Sequence, residues 1–279
     1  MKTSNKLLIA FAAALILLPI LGMVYVSQAL YTDRKNWTDV AKNDESFNAA
    51  SNNMTSKTLA PFQTINIADG KGFYFNVRLI KDAKYGVKIP EGFKDAIKLN
   101  VDAQGQLQIE LTNKNDGNTY INLLVYAPDT KGINLVGAEG LELNAKTDSL
   151  SVNLKKAGRL AFNSDTKIGK LSIATEDVST LSIEKEIAKS LYLNLKNTNF
   201  TSEWASYQDL SIATAGNSSI IVKGDEREVK AYSIQNLTLN TADIAKVSLE
   251  GMTIRNCKGS LSDQTQVQMP AVNLKQLFK

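Results

Sequence analysis

The pattern that decides the fold lies in residues 150–195, LSVNLKKAGRLAFNSDTKIGKLSIATEDVSTLSIEKEIAKSLYLNL. Aliphatic residues separated by single polar ones return about every ten residues, as in Leu150/Val152/Leu154, Leu171/Ile173 and Leu191/Leu193/Leu195. Alternation of this kind is typical of a strand with one buried face, and its regular return indicates a repeat architecture. Because the pattern extends over residues 133–274, we predict an all-β chain that folds as a right-handed parallel β-helix, or solenoid.

The connectors favour this solenoid over an antiparallel sandwich. Hairpins with two-residue loops usually carry Asn-Gly or Asp-Gly, and neither dipeptide occurs after Gly132. The connectors are instead polar stretches such as 174–180 and 184–190. A turn with two sides would need about twenty residues and one with three sides about thirty, and both remain open. Asn153, Asn163 and Asn194 hold comparable places in their repeats, which suggests amide ladders or scattered surface asparagines.

Composition narrows the possible functions. The formal charge of +4 over 279 residues gives no reason to expect nucleic acid as a partner. The chain has no histidine, which excludes Ser-His-Asp, Cys-His and histidine-zinc chemistry. No phosphate loop, dinucleotide fingerprint or zinc spacing occurs, so we predict no cofactor and no metal. Cys257 is the single cysteine, and we expect it to pack as a small apolar residue near the end of the solenoid.

The N-terminal segment predicts export. Residues 7–26 contain no charge and are long enough to cross a bilayer as one helix. Lys2 and Lys6 precede them, so the N-terminus should be cytoplasmic and the body extracytoplasmic, in the periplasm or at the surface. The alternative is a signal peptide cleaved near Ser27-Gln28-Ala29, which would give a secreted protein. The predicted anchor residues are Leu7, Leu8, Phe11, Leu15, Leu18, Leu21 and Val24.

The chain divides into three predicted parts. Residues 1–31 form the anchor or signal segment, the polar range 32–58 is a linker, and residues 59–279 form the solenoid. Its strand-rich N-terminal part, 62–128, carries Asp69-Gly70 and Asp116-Gly117, dipeptides that favour tight turns and some antiparallel pairing. The range of about 259–279 leaves the repeat and contains Pro270, so we predict an irregular C-terminal cap in which Leu277-Phe278 closes the core.

The order of strand-like motifs carries a resemblance. These are Phe62-Gln-Thr-Ile-Asn-Ile, Phe75-Asn-Val-Arg-Leu, Tyr85-Gly-Val-Lys-Ile, Ile97-Lys-Leu-Asn-Val, Gly105-Gln-Leu-Gln-Ile, Leu123-Leu-Val-Tyr-Ala-Pro and Ile133-Asn-Leu-Val-Gly-Ala. Over about residues 62–224 the chain resembles the putative auto-transporter adhesin family with the head GIN domain, although Ala68-Asp69-Gly70-Lys71-Gly72 replaces the family's glycine-rich signature. The resemblance implies an exported β-helical domain with an adhesive or surface role, and it brings no catalytic residues.

Two groups of residues are candidates for chemistry. Phe200, Trp204 and Tyr207 lie in an irregular stretch, and such aromatic side chains often contact protein or glycan ligands; their alternative role is packing on the core. Glu184 and Glu186, two apart on a strand-like run, should point to one side and could act as an acid and base pair on a sugar. Lys185 and Lys189 lie beside them, which favours a solvated corner.

The sequence as a whole predicts a membrane-anchored, extracytoplasmic β-helical domain that binds a protein or glycan at the cell envelope and has no catalytic residues. The alternative is a β-helix enzyme that acts on acidic polysaccharide through carboxylates. A third possibility is a domain that senses envelope state through its anchor and a membrane partner.

Overall fold

The computed structural model describes residues 46–115, 119–228 and 231–278, together with Thr3, Lys6, Phe11 and residues 15–24. One compact unit comprises residues 1–45 and 49–51, and a second comprises 46–48 and 52–279. In the first, residues 15–24 are helical, and Phe11, Leu15, Leu18, Leu21 and Val24 are exposed. Leu7 and Leu8 of the predicted anchor lie outside the described residues. Within the described ranges we find no helix with both the length and the apolar character needed to span a bilayer.

The second unit is built from strands, which confirms the all-β prediction. All eighteen strands of the described part join one hydrogen-bonded sheet. They are β1 (Met54–Thr58), β2 (Thr64–Ile67), β3 (Tyr74–Lys81), β4 (Gly86–Pro90), β5 (Ile97–Val101), β6 (Gln106–Leu111), β7 (Tyr120–Ala127), β8 (Gly132–Val136), β9 (Gly140–Phe162), β10 (Lys167–Glu184), β11 (Ala188–Lys196), β12 (Asn199–Glu203), β13 (Tyr207–Ala215), β14 (Asn217–Lys223), β15 (Ser233–Thr241), β16 (Ile244–Glu250), β17 (Thr253–Ser260) and β18 (Thr265–Gln268). A 3-10 helix covers Glu91–Phe93, and an α-helix covers Ala271–Leu277.

From residue 132 onward the strands run parallel to their partners in two ladders. Ladder A contains β8, the middle of β9, the first half of β10, and then β11, β13, β15 and β17. Ladder B contains the start and the end of β9, the second half of β10, and then β12, β14, β16 and β18. The chain alternates between the ladders and returns to each after about twenty residues. Parallel pairing excludes an antiparallel sandwich for this region.

The buried residues of ladder A stack in columns. The register aligns Leu150, Leu171, Leu191, Leu210, Leu237 and Cys257 in one such column. All six are buried, and burial of each leucine contributes about 2 kcal/mol of hydrophobic stabilisation. Cys257 lies in the last strand of the ladder, which confirms its predicted place, and burial raises the pKa of its thiol to about 11.

The N-terminal strands mix both directions. Strand β4 pairs antiparallel with β1 and β7, and β5 pairs antiparallel with β6, which confirms the predicted antiparallel pairing. Asp69-Gly70 does not close a hairpin, because β2 and β3 pair with different neighbours. The other predicted turn, Asp116-Gly117, lies outside the described residues.

Part of the predicted linker belongs to the folded body. Within 32–58, strand β1 occupies the last five residues and pairs with β4. Further upstream, Phe47 is buried with its ring 5.4 Å from that of Tyr126, and its backbone N–H donates to Asp82 Oδ2 at 2.9 Å. A side chain at Gly86 would overlap the Phe47 ring, so the glycine makes room for this contact. The polar composition of residues 32–58 therefore did not predict the apolar contact that Phe47 makes with the body.

The C-terminal cap covers the edge of ladder A. In the helix Ala271–Leu277, the Asn273 side chain donates to Ile254 O at 2.9 Å, and Gln276 Oε1 accepts from Cys257 N at 2.7 Å. These bonds occupy backbone groups of β17 that would otherwise form an open sheet edge. Leu277 packs against the core as predicted, but Phe278 is 75% exposed, so the prediction that it closes the core is wrong.

The corner from ladder A to ladder B, here called the tight corner, uses one left-handed residue per turn. These residues occupy equivalent positions in successive turns and have positive φ: Gly137, Lys156, Asp177, Asn197, Gly216 and Asp243. Glycine, asparagine and aspartate tolerate this conformation better than other residues. Asn197 Nδ2 donates to Asp177 Oδ1 at 2.8 Å, and Asn217 N donates to Asn197 Oδ1 at 3.1 Å. The tight corner is therefore held by side chains that bond from one turn to the next.

Candidate binding groove

The opposite corner, from ladder B to ladder A, here called the groove corner, opens into a long groove of about 1230 Å³. Its lining comes from the start of each ladder A segment, from residue 131 to residue 256, and from the ends of β3 and β7. The lining draws on seven successive strands of ladder A, and the six intervals of about 4.8 Å between them give a length of roughly 29 Å. The groove is therefore elongated along the stacking direction and crosses many turns.

Cations outnumber carboxylates in this lining. The cations are Lys81, Lys131, Lys146, Lys167, Lys189 and Arg255, and the carboxylates are Asp129, Asp148 and Glu186. Lys131 forms a salt bridge with Asp129, and Lys167 Nζ donates to Glu186 O at 2.8 Å. Within the described part of the chain, the ammonium groups of Lys81, Lys146 and Lys189 form no hydrogen bond or salt bridge. Three positive charges are thus available to a ligand.

The register places two of these cations side by side. Lys146 of β9 and Lys167 of β10 are partners on adjacent parallel strands. Like charges directly across a sheet destabilise it by a few tenths of a kcal/mol or more. A bound anion would relieve this repulsion, so the pair favours a negatively charged ligand.

Amide and hydroxyl side chains share the rest of the groove surface with apolar residues such as Ile168 and Ile187. Ser190 Oγ donates to Asp209 Oδ2, Asn236 Nδ2 donates to Asp209 Oδ1, and Asn256 Nδ2 donates to Asn236 Oδ1, each at 3.0 Å. This column spans four turns, and Asn236 and Asn256 line the groove. Its side chains are already oriented by one another, so a ligand would meet a pre-ordered polar surface.

A second, smaller cavity of about 170 Å³ lies elsewhere on the body. Tyr74, Glu142, Arg159 and Glu184 line it. Burial, and to a lesser extent the charge of Glu142, raises the pKa of Tyr74. The cavity brings two carboxylates and a guanidinium together, but it is smaller than the ~300–1000 Å³ typical of ligand sites.

The predicted aromatic site does not form one surface. Phe200 and Tyr207 are buried in the core, whereas Trp204 is 46% exposed at the groove corner. The Tyr207 hydroxyl lies 2.7 Å from Ser202 Oγ, and burial strongly raises its pKa. Ligand binding by these residues stays a prediction, and Trp204 is the one whose side chain a ligand could reach from solvent.

Glu184 and Glu186 do not point to one side, so the expected orientation of this pair is wrong. Strand β10 ends at Glu184, and Lys185 turns the chain with a φ of 67°. Glu184 lines the small cavity and Glu186 lines the groove, so the two carboxylates face different sites.

The asparagine ladders are short. Asn153 donates to Asn134 Oδ1 at 2.8 Å, and Asn163 accepts from Asn144 at 3.4 Å. Asn194 has Ala174 and Ala213 as its register neighbours, which cannot continue a ladder. The longer hydrogen-bonded columns at residue 209 and at the tight corner were not predicted.

The basic groove was also missed, although the sequence contains a signal for it. A lysine stands shortly before several of the aliphatic pairs, as Lys131, Lys167 and Lys189 do. Because strand starts meet at one corner of parallel ladders, such residues become neighbours. Lysine spacing relative to the repeat, instead of total charge, would have revealed them.

No protein-family model matches the chain, and neither does any curated protein sequence. A crystal structure of a "putative adhesin" from Bacteroides fragilis is 13% identical with a TM-score of 0.47, and the match covers 77% of this chain and 91% of that one. One from Parabacteroides distasonis, also called a "putative adhesin", is 16% identical with a TM-score of 0.40, covering 80% and 95%. A "putative lipid binding protein" from the same species is 13% identical with a TM-score of 0.37, covering 77% and 92%. The function of this chain is therefore inferred from its own residues.

Proposed function

We propose that this chain is a non-catalytic binding protein of the cell envelope, whose β-helical body contacts a protein or glycan through the long groove. The observation that carries the proposal is the groove itself, which crosses many turns and carries lysines that have no partner among the described residues. A surface of this kind suits an extended polar ligand, because it offers repeated contacts and no enclosed reaction chamber.

The two ladders support a solenoid. Parallel strands that alternate between ladders A and B, with a return interval of about twenty residues, are the pairing expected of a coil with two sides. We propose a right-handed coil, since crossovers between parallel strands are right-handed in nearly all proteins. The resemblance to the head GIN adhesin family agrees with this architecture and with an adhesive role.

Membrane attachment is the second part of the proposal. The uncharged residues 7–26 and the preceding Lys2 and Lys6 support a single-pass anchor with the body outside the cytoplasm. Fractionation of cells that express the full chain tests it. We expect the chain in the membrane pellet after alkaline extraction, with an intact N-terminus by mass spectrometry. A soluble form that begins after Ala29 would show cleavage and release.

Ligand screening tests the binding role. The purified full chain, kept in mild detergent, is screened against glycans and envelope proteins together with a Lys146→Gln/Lys189→Gln variant. We expect at least one ligand whose affinity falls in this variant. If every ligand found in the screen binds both forms equally, the groove is not the contact surface and the proposal fails.

An enzyme acting on acidic polysaccharide is the second candidate. The observation that favours it is the cavity shared by Glu142, Glu184 and Arg159, because a pair of carboxylates can hydrolyse glycosidic bonds. The release of reducing ends from acidic polysaccharides is the direct assay. Turnover that is lost in Glu184→Gln would replace the binding proposal, whereas absence of turnover supports it.

A further inference from the structure

We infer that the groove binds a strand of acidic polysaccharide, an inference that rests on the proposed binding function and specifies its ligand class. The first argument is charge. Once the Lys131–Asp129 salt bridge is set aside, the lining has five cations against two carboxylates. An anionic ligand therefore gains attraction along the groove, and the adjacent Lys146 and Lys167 lose their mutual repulsion.

The second argument is the order of charges and hydrogen-bonding groups. By the strand register, Lys189, Gln208, Gln235 and Arg255 form one column that runs along the groove, one residue per turn. Beside it runs the column of Ser190, Asp209, Asn236 and Asn256, in which the Asp209 carboxylate accepts hydrogen bonds from its two neighbours. Amides and hydroxyls both donate and accept hydrogen bonds, which matches the hydroxyl groups of sugars, while lysine and arginine match their carboxylates or sulfates.

The third argument separates polysaccharide from single-stranded nucleic acid. Proteins that bind single strands combine basic grooves with aromatic platforms on which bases stack. Tyr207 is the one aromatic residue of the groove lining in the described part of the chain, and it is buried with its hydroxyl directed to Ser202. The described residues of the groove lining thus offer charge and hydrogen bonds but no exposed aromatic ring, and Trp204, the exposed aromatic side chain at the same corner, lies outside the lining.

The test measures the binding of three polymers of similar length to the full chain in mild detergent. The probes are polygalacturonate, which is carboxylated, neutral dextran, and a single-stranded oligothymidylate, each measured by calorimetry at low and moderate salt. We expect polygalacturonate to bind, dextran to bind at least about tenfold more weakly, and affinity to fall with added salt, since exposed ion pairs are screened. Oligothymidylate should bind more weakly than polygalacturonate at equal charge.

Two variants with equal charge changes locate the site. Lys146→Gln/Lys167→Gln/Lys189→Gln should weaken polygalacturonate binding about tenfold, consistent with ~0.5 kcal/mol per exposed ion pair. Lys156→Gln/Lys246→Gln/Lys258→Gln, which lies outside the groove lining, should bind like the unmodified chain. Equal weakening in both variants would show general charge attraction and overturn the assignment. Unfolding curves check that all three proteins remain folded.

The outcomes keep the two proposals distinct. If dextran or an envelope protein binds and the groove variant weakens that binding, the acidic ligand class is wrong and the binding function stands. Preference for oligothymidylate would also overturn the ligand class. If the groove variant changes the binding of no ligand, the proposed function itself fails.

Discussion

The tight corner and the groove corner both connect ladders A and B, but they differ in length and in the use of their side chains. At the tight corner each connection contains one residue with a positive φ, and the Asn197 side chain donates a hydrogen bond to the Asp177 carboxylate. At the groove corner the connectors vary, from the two residues between β16 and β17 to the nine between β14 and β15. The short connection keeps successive turns aligned, whereas the variable one leaves side chains facing solvent.

This difference predicts which substitutions should change stability and which should change binding. Side chains at the tight corner are used for backbone geometry and bonds between turns, so substitutions there should lower the free energy of unfolding. Lysines at the groove corner form few internal bonds, so their replacement should change binding more than stability. Four measurements can break or sharpen this contrast.

Gly216→Ala should give the largest loss of stability. Gly216 has a φ of +67°, and a Cβ there would overlap the Asn197 side chain. We expect a decrease of about 2–3 kcal/mol in the free energy of unfolding by urea denaturation, from backbone strain and a disturbed asparagine. Gly105→Ala is the matched control, since its φ is +71° and nothing lies within 4 Å of the new Cβ. Equal losses would mean that only backbone conformation matters at the tight corner.

Asn197→Ala should cost about 1–2 kcal/mol, because it removes the bonds to Asp177 and to the Asn217 backbone. Lys156→Ala provides the comparison at the same corner position, with the same φ of 52° and an exposed side chain. We expect that variant to stay within about 0.5 kcal/mol of the unmodified chain in the same denaturation assay. A Lys156→Ala loss as large as that of Asn197→Ala would contradict a role for the side-chain bonds.

Thr175→Val and Thr214→Val should each stabilise the protein by about 1 kcal/mol. Both hydroxyls are buried two residues before the tight corner and have no hydrogen-bond partner, so a valine removes an uncompensated desolvation penalty. Thr241 occupies the equivalent position, but its hydroxyl accepts from Ser262 N at 3.0 Å and lies 2.6 Å from Thr265 Oγ1. Thr241→Val should therefore destabilise by a similar amount. The three variants are compared by thermal unfolding, and one common sign for all three would refute this explanation.

The smallest effect concerns Glu176, next to the tight corner. Hydrogen bonds and ion pairs from Lys155 and Lys196 lower the pKa of its carboxyl from 4.5 to about 2. A lowered pKa in the folded state stabilises the fold above pH 4.5, and this contribution is lost as the pH falls toward 2. The melting temperature of Glu176→Gln should lie slightly below that of the unmodified chain at pH 7 and coincide with it near pH 2. A difference in melting temperature that persists at pH 2 would show that the Glu176 carboxylate is not its cause.

Several features could be predicted because they depend on neighbouring residues along the chain. The alternation at Leu171/Ile173 identified the buried face, and Cys257 was placed correctly from its position in the repeat. The Glu184 and Glu186 pair failed because a single left-handed residue, Lys185, redirects the chain between them. Phe200 and Tyr207 were ambiguous, since an aromatic side chain can equally fill a core or meet a ligand.

The sequence by itself determined the buried face of most strands, because the alternation of apolar and polar residues specifies one side of a strand. Only the tertiary structure decided which residues became neighbours between turns. The interval between turns varies, as the long connection between β14 and β15 shows, so the register follows from backbone hydrogen bonding and core packing together. Lys146 and Lys167 lie twenty-one positions apart in the chain and one strand apart in space, and the groove exists because of that stacking.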